Sequence, residues 1–222
     1  SIAGVGNFTK NGGGGVTVSG TLTTAGTQTW TDAVTLGAAT ILSDTTLSFG
    51  STVTGGGFDL TLTSSGAITL TLGSIAGVGN FTKNGGGGVT VSGTLTTAGT
   101  QTWTNAVSLS LATTLVGTTL TFSSTVGNAV SQTLVITGNA VFANTVGAGT
   151  ALTSLSVSGT TSIANNVSTS TTQTYTGNAT LSGSAVLTDS TVSFGGTVTG
   201  GGFNLTLTST GAITLTLGNI TG

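Results

Sequence analysis

Charge is nearly absent from this chain. Only 3% of its 222 residues are charged, and the whole set is Lys10, Lys83, Asp32, Asp44, Asp59 and Asp189, with no His, Glu or Arg. General acid–base pairs, nucleophile–histidine dyads and clusters of transition-metal ligands therefore have almost no raw material. The same scarcity leaves no basic patch for nucleic acid. Cysteine is missing too, so no disulfide holds the fold, whatever the redox compartment. Proline is missing, which excludes collagen despite 39 glycines. No apolar run approaches the length of a membrane-spanning helix. The chain begins without Met and without a signal peptide, as expected of an internal or processed piece of something longer.

Apolar residues make up 36% of the chain and the net charge is −2, a balance that argues for folding rather than disorder. Repetition organises the rest. Residues 1–31 return letter for letter at 74–104, an offset of 73. The stretch beginning at Leu42, LSDTTLSFGSTVTGGGFDLTLTSSGAITLTLGSI, returns nearly unchanged from Leu187. The chain thus reads as one continuous segment of three copies, 1–73, 74–146 and 147–222, the second degraded in its last third. A fixed long period is the mark of a solenoid or stacked array.

Within a copy the local pattern alternates with period two, as in Val16-Thr17-Val18, Val34-Thr35-Leu36, Leu60-Thr61-Leu62 and Ile68-Thr69-Leu70-Thr71-Leu72. Such alternation describes half-buried strands. Helical spacing does not occur, and the good helix formers Glu, Arg and Met are absent. Glycines close each run every few residues, and the triplets Gly55-Gly56-Gly57 and Gly200-Gly201-Gly202 mark tight turns. Trp30 and Phe49, Trp103 and Phe122, and Tyr175 and Phe194 are each 19 apart. That spacing predicts coils of 18–19 residues, four to a copy and about twelve in all. The expected fold is all-β, a right-handed parallel β-helix of triangular section, with these six aromatics stacked as an interior ladder and Thr rows outside. At about 4.8 Å per coil the rod would be roughly 55–60 Å long. About six residues around Ser162–Ser170 are expected to form a bulging turn. Asn219-Ile220-Thr221-Gly222 matches the start of a copy at Ser74, and neither end carries a polar cap, so the array is expected to continue at both ends.

The strings LTSLSVSG at 152–159, TQTYTGNATL at 172–181 and TVSFGGTVTGGGFNLTL at 191–207 resemble the repeats of giant bacterial surface proteins, the filamentous-haemagglutinin-like and autotransporter-type β-strand-repeat adhesins. GNFTKNGGGGVTVSG at 6–20 is similar to their passenger repeats. The resemblance implies a secreted, cell-surface protein exported by a type V route, folded outside the cell as a β-helix, and serving in adhesion, biofilm matrix or a filament. It transfers no catalytic residue.

No catalytic, cofactor-binding or metal-ligating residue is assigned. The glycine runs lack the Lys-Ser/Thr of a phosphate loop. Gly56-Gly57-Phe58-Asp59 has a calcium-repeat flavour, but Asn204 replaces Asp59 in the third copy. Thr-X-Thr triplets bring an ice-binding face to mind, yet the abundance of Thr generates them unaided. Asn-X-Ser/Thr sequons occur at Asn7, Asn80, Asn166, Asn178, Asn204 and Asn219, no more often than composition provides. The expected role is a structural segment of an extracellular fibre or adhesin stalk that meets its own repeats end to end, and through them other cells or surfaces. A carbohydrate-, receptor- or ice-binding solenoid, and a short subunit that polymerises into an amyloid-like filament, remain the alternatives.

Overall fold

In the computed structural model, residues 1–214 and the backbone of 220–221 are described; the in-phase match at 219–222 and the sequon at Asn219 rest on side chains outside them. The chain winds as a parallel β-solenoid of about 11 turns, with almost no helix beyond a single turn at Leu72–Ser74. Each coil carries three short strand segments, and the segments pair in parallel with their equivalents one coil on, except on one face, where a separate three-stranded sheet of Phe8–Lys10, Thr27–Trp30 and Thr46–Phe49 ends without pairing to Ile68–Thr71. In chain order the faces are A, first occupied by Phe8–Lys10, B, first occupied by residues 16–18, and C, which follows at residues 20–24. Strands such as Val16–Thr24 and Val34–Asp44 run across the B–C corner with a register shift there, where Gly20 takes a φ of +79°.

The alternation of the sequence explains which way each residue points. On face C the inward column runs Leu22, Leu42, Leu62, Lys83, Trp103, Phe122, Phe142, Ile163 and Leu181. The neighbouring outward column runs Thr21, Ile41, Thr61, Thr82, Thr102, Thr121, Val141, Ser162 and Thr180 in the same register. Burying each Val, Leu, Ile or Phe contributes about 1.5–3 kcal/mol. The inter-coil ladder satisfies the backbone groups that this burial removes from water.

Steps along that inward column are 18 to 21 residues and average about 20, longer than the expected 18–19. The 19-residue spacing is correct for the coils that hold the three aromatic pairs. Elsewhere the glycine-rich corners add residues, so the turns number about eleven rather than twelve. The expected bulge at Ser162–Ser170 is not there. Thr161–Ile163 and Val167–Tyr175 are strands that pair on both sides, with one register shift at Thr169–Thr172 where the chain rounds a corner. The extra length lies in the 21-residue step from Phe142 to Ile163, the next step to Leu181 being 18.

The repeat of 73 residues is not a whole number of coils. From Trp30 on face A to Trp103 on face C the chain crosses eleven faces, or three coils and two thirds. The block TQTW therefore lies on face A at 27–30, its copy on face C at 100–103, and TQTY on face B at 172–175. Nearly the same residues, with Tyr175 for Trp on face B, serve all three walls, which requires three walls of nearly the same geometry.

Candidate functional site

The six expected ladder aromatics form three separate pairs, not one column. Trp30 registers with Phe49 on face A, Trp103 with Phe122 on face C and Tyr175 with Phe194 on face B. Ring centroids are 6.3 Å apart for Trp103–Phe122 and 5.2 Å for Tyr175–Phe194, both stacked. Phe142 extends the face C stack, 5.4 Å from Phe122. Phe8 and Phe81 tilt against Trp30 and Trp103 at 4.7 and 4.9 Å with the same 46° angle, so the repeated block carries its own packing from one wall to another.

Sequence reasoning missed the glutamines. Gln28, Gln101 and Gln173 are buried, and each Nε2 donates to two backbone carbonyls, six residues back and fifteen ahead. For Gln101 these are Leu95 O at 3.3 Å and Val116 O at 2.9 Å. Each glutamine thus ties a corner of its own coil to the next coil. The signal was available: Gln holds an inward parity position, where an apolar residue belongs, in all three copies. In the third copy Tyr175 adds a donor, its hydroxyl bonding Gln173 Oε1 at 2.9 Å. Where Trp stands instead, Gln28 Oε1 and Gln101 Oε1 are left without a partner.

Corner asparagines fasten coils in a second way. Asn7, Asn80, Asn139, Asn166 and Asn178 each accept, through Oδ1, a backbone N–H about 20 residues on, at 2.8–3.0 Å. Asp59 does the same, accepting the N–H of Asn80 at 2.7 Å and its Nδ2 at 3.0 Å. Four of the sequon asparagines are therefore structural staples. Asp59 is committed to Asn80, and no cluster of three metal-ligating side chains occurs among the described residues.

The turn glycines close hairpin-like corners. Phe58 N–H donates to Gly55 O at 2.9 Å across Gly56 and Gly57, whose φ values are +59° and +85°; Phe203 donates to Gly200 O at 3.0 Å across Gly201 and Gly202, at +60° and +84°. Two consecutive positive φ values are the pattern of a type I′ turn, which favours glycine at both positions. Gly55 itself has no room for a side chain, since a Cβ there would lie 2.5 Å from Gly77 O.

The few charges sit differently in the two identical blocks. Lys10 is partly exposed; its Nζ donates to Asn11 O, to Gly14 O at 2.8 Å and to Asp32 Oδ2 at 2.7 Å. The salt-linked Lys10 holds the Asp32 carboxyl below its ordinary value. Lys83 occupies the same place in its block but is 0% exposed, between Leu62 and Trp103. Its Nζ donates to Asn84 O at 2.6 Å, Gly87 O at 3.1 Å and the carboxamide Oδ1 of Asn105 at 3.4 Å. Burial pushes this amine below its usual value, partly opposed by the Asp44 carboxylate. Burial likewise pushes Asp44 up, against the hydrogen bond it accepts from Ser64 Oγ at 2.6 Å.

A cavity of about 220 Å³ opens beside Ile2, Phe8, Val16, Leu22 and Trp30, and another of about 260 Å³ beside Phe49, Thr52 and Thr71. Neither is lined by a carboxylate or a lysine. No helix among the described residues is long and apolar enough to cross a membrane. Comparison of the chain with protein-family models, with characterised protein sequences and with solved structures finds no match.

Proposed function

We propose that this chain is a load-bearing segment of an extracellular β-helical fibre or adhesin stalk at a bacterial surface, without catalytic activity. One observation carries the reading: a parallel ladder and an apolar interior run from coil to coil on three walls, and the polar side chains that do go inward, the glutamines above all, spend their donors tying one coil to the next. Such a body resists extension because opening a coil breaks inter-coil bonds on several faces at once, on all three except where the face A ladder stops after Thr46–Phe49. Stability in a solenoid is a sum of coil and interface terms, so adding coils lengthens the rod at no cost in topology. The resemblance of residues 6–20 and 152–207 to adhesin repeats supports secretion by a type V route, a role in surface attachment or matrix, and end-to-end contact with neighbouring repeats.

Imaging the purified protein, combined with digestion by a protease of broad specificity, tests this proposal. Trypsin alone is uninformative with two lysines in the chain. Straight rods that survive digestion without denaturant are expected, along with labelling of intact cells by antibodies against the segment. Rapid digestion of the native protein, or saturable binding of a defined glycan by the isolated segment, would overturn it in favour of a fold with mobile parts or of a binding module.

A further inference from the structure

We propose that Lys83 and Asn105 become joined by an intramolecular amide bond, a covalent rung between successive coils. Their geometry and the contrast with the first copy carry this inference. Lys83 lies on face C one coil before Asn105, its Nζ 3.4 Å from the Asn105 Oδ1. The carboxamide is oriented by Nδ2, which donates to Gly85 O, so Oδ1 is turned to the amine. The ammonium, entirely buried, has carbonyl oxygens around it and no carboxylate within salt-bridge distance. At the equivalent place in the first copy the partner is a carboxylate, Asp32, at 2.7 Å. The counter-charge of the first copy is replaced in the second by a neutral carboxamide beside a buried amine. Desolvation with no carboxylate in salt-bridge contact favours the neutral amine, against the weaker pull of Asp44, and its lone pair is nucleophilic.

The step balances without a further reagent. Nζ sheds one proton and attacks Cγ of Asn105 as the neutral amine, and the new C–N bond forms. A second Nζ proton passes to Nδ2 as the Cγ–Nδ2 bond breaks, and the ammonia released takes up the first proton and leaves as ammonium ion. Asn105 is half-buried at a corner, so the leaving group has a short path to solvent. The bond would close a loop from residue 83 to residue 105, fastening one coil to the next at the place where the repeated Lys-Asn-Gly-Gly-Gly-Gly turn packs against residues 64–67.

Intact-mass measurement on the purified, denatured chain reads the reaction directly, with a deficit of about 17 Da from the loss of ammonia. Trypsin gives a second readout, because its two sites follow Lys10 and Lys83. A linked chain is cut after Lys10 alone, leaving residues 11–222 in one piece. Asn105→Ala and Lys83→Met are each expected to restore the full mass, and Asn105→Ala to restore cleavage after residue 83. Lys10 and Asp32 serve as the internal control, with no loss of water between them. A wild-type chain of full sequence mass that is cut after Lys83 overturns the proposal. So does a deficit that persists in Asn105→Ala. The wild-type mass decides even if neither variant folds.

Discussion

Asp189 is a charge in the wrong place, and removing it should stabilise the protein. It is the last residue of the strand Ala185–Asp189 and points inward over Ser209 of the next coil, with 6% of its surface exposed. Neither carboxylate oxygen has a hydrogen-bond partner, and the Ser209 hydroxyl, which opposes the shift, donates to Ser190 O at 2.8 Å. Burial accordingly pushes the carboxyl above its ordinary value. Leaving a buried polar group unpaired costs about 1–3 kcal/mol, and each pKa unit of upward shift costs about 1.4 kcal/mol at neutral pH. Because Asp189 sits at a corner with solvent one side chain away, Asp189→Asn should gain about 1–2 kcal/mol at pH 7, the lower part of that range. The folded-state value lies above the unfolded one, so this residue's favourable contribution is complete only at acid pH and is lost as pH rises through the folded value. The advantage of Asn must therefore be largest at neutral pH, shrink as pH falls through the raised folded value, and vanish below the ordinary carboxylate value of 3.8. Hydrogen exchange of the amides at 185–209, measured at pH 7 and pH 3, reports the local opening free energy in a molecule whose coils need not unfold together. A gain of the same size at both pH values, or a loss at pH 7, would refute the argument.

Other positions give sharper contrasts. Gln101→Leu removes the donors to Leu95 O and Val116 O but also removes the orphaned Oε1, so a net loss of about 1–2 kcal/mol is expected in urea unfolding; stabilisation would discredit the clamp. Tyr175→Phe should cost about 1 kcal/mol by leaving Gln173 Oε1 in the state of Gln28 Oε1, measurable as faster exchange at the Tyr175 corner. Gly55→Ala should cost about 1–3 kcal/mol or more, since the new methyl meets the backbone of Gly77 and Val78. Gly57→Ala has open space around it and should cost about 1–2 kcal/mol, from its positive φ alone, a difference that thermal melts will resolve.

The alternation of Val, Leu and Ile with Thr and Ser made the parallel solenoid legible, because a parity rule needs no long-range information. Coil length was legible only in part. The aromatic spacing of 19 reports the coils whose corners are short, whereas the corners at Gly85–Gly88 and Gly55–Gly57 lengthen others in a way that composition does not announce. Gln28, Gln101 and Gln173 obeyed the same parity as their neighbouring aromatics and would have been found by asking which polar residues break the apolar rule in every copy. The contrast between Lys10 and Lys83 was beyond reach of the sequence, since the two stand in identical blocks. Lys83 is enclosed by strands on both sides, Leu62 on one and Trp103 on the other.

The displacement of each copy by eleven faces has a mechanical consequence. A repeat of a whole number of coils would stack every copy's weak corners on one edge and give the rod a preferred direction of bending. Advancing by three coils and two thirds turns each copy onto a new wall, so the exposed Phe58 and its counterpart Phe203 project from different corners, B–C for the first and C–A for the second. Every wall then receives one glutamine clamp and one registered aromatic pair over three copies. A surface that recognised a flat partner would need its residues gathered on one face, as a repeat in phase with the coil would gather them. The phase of this repeat distributes them instead, which suits a shaft loaded from any side better than a face built for a single ligand.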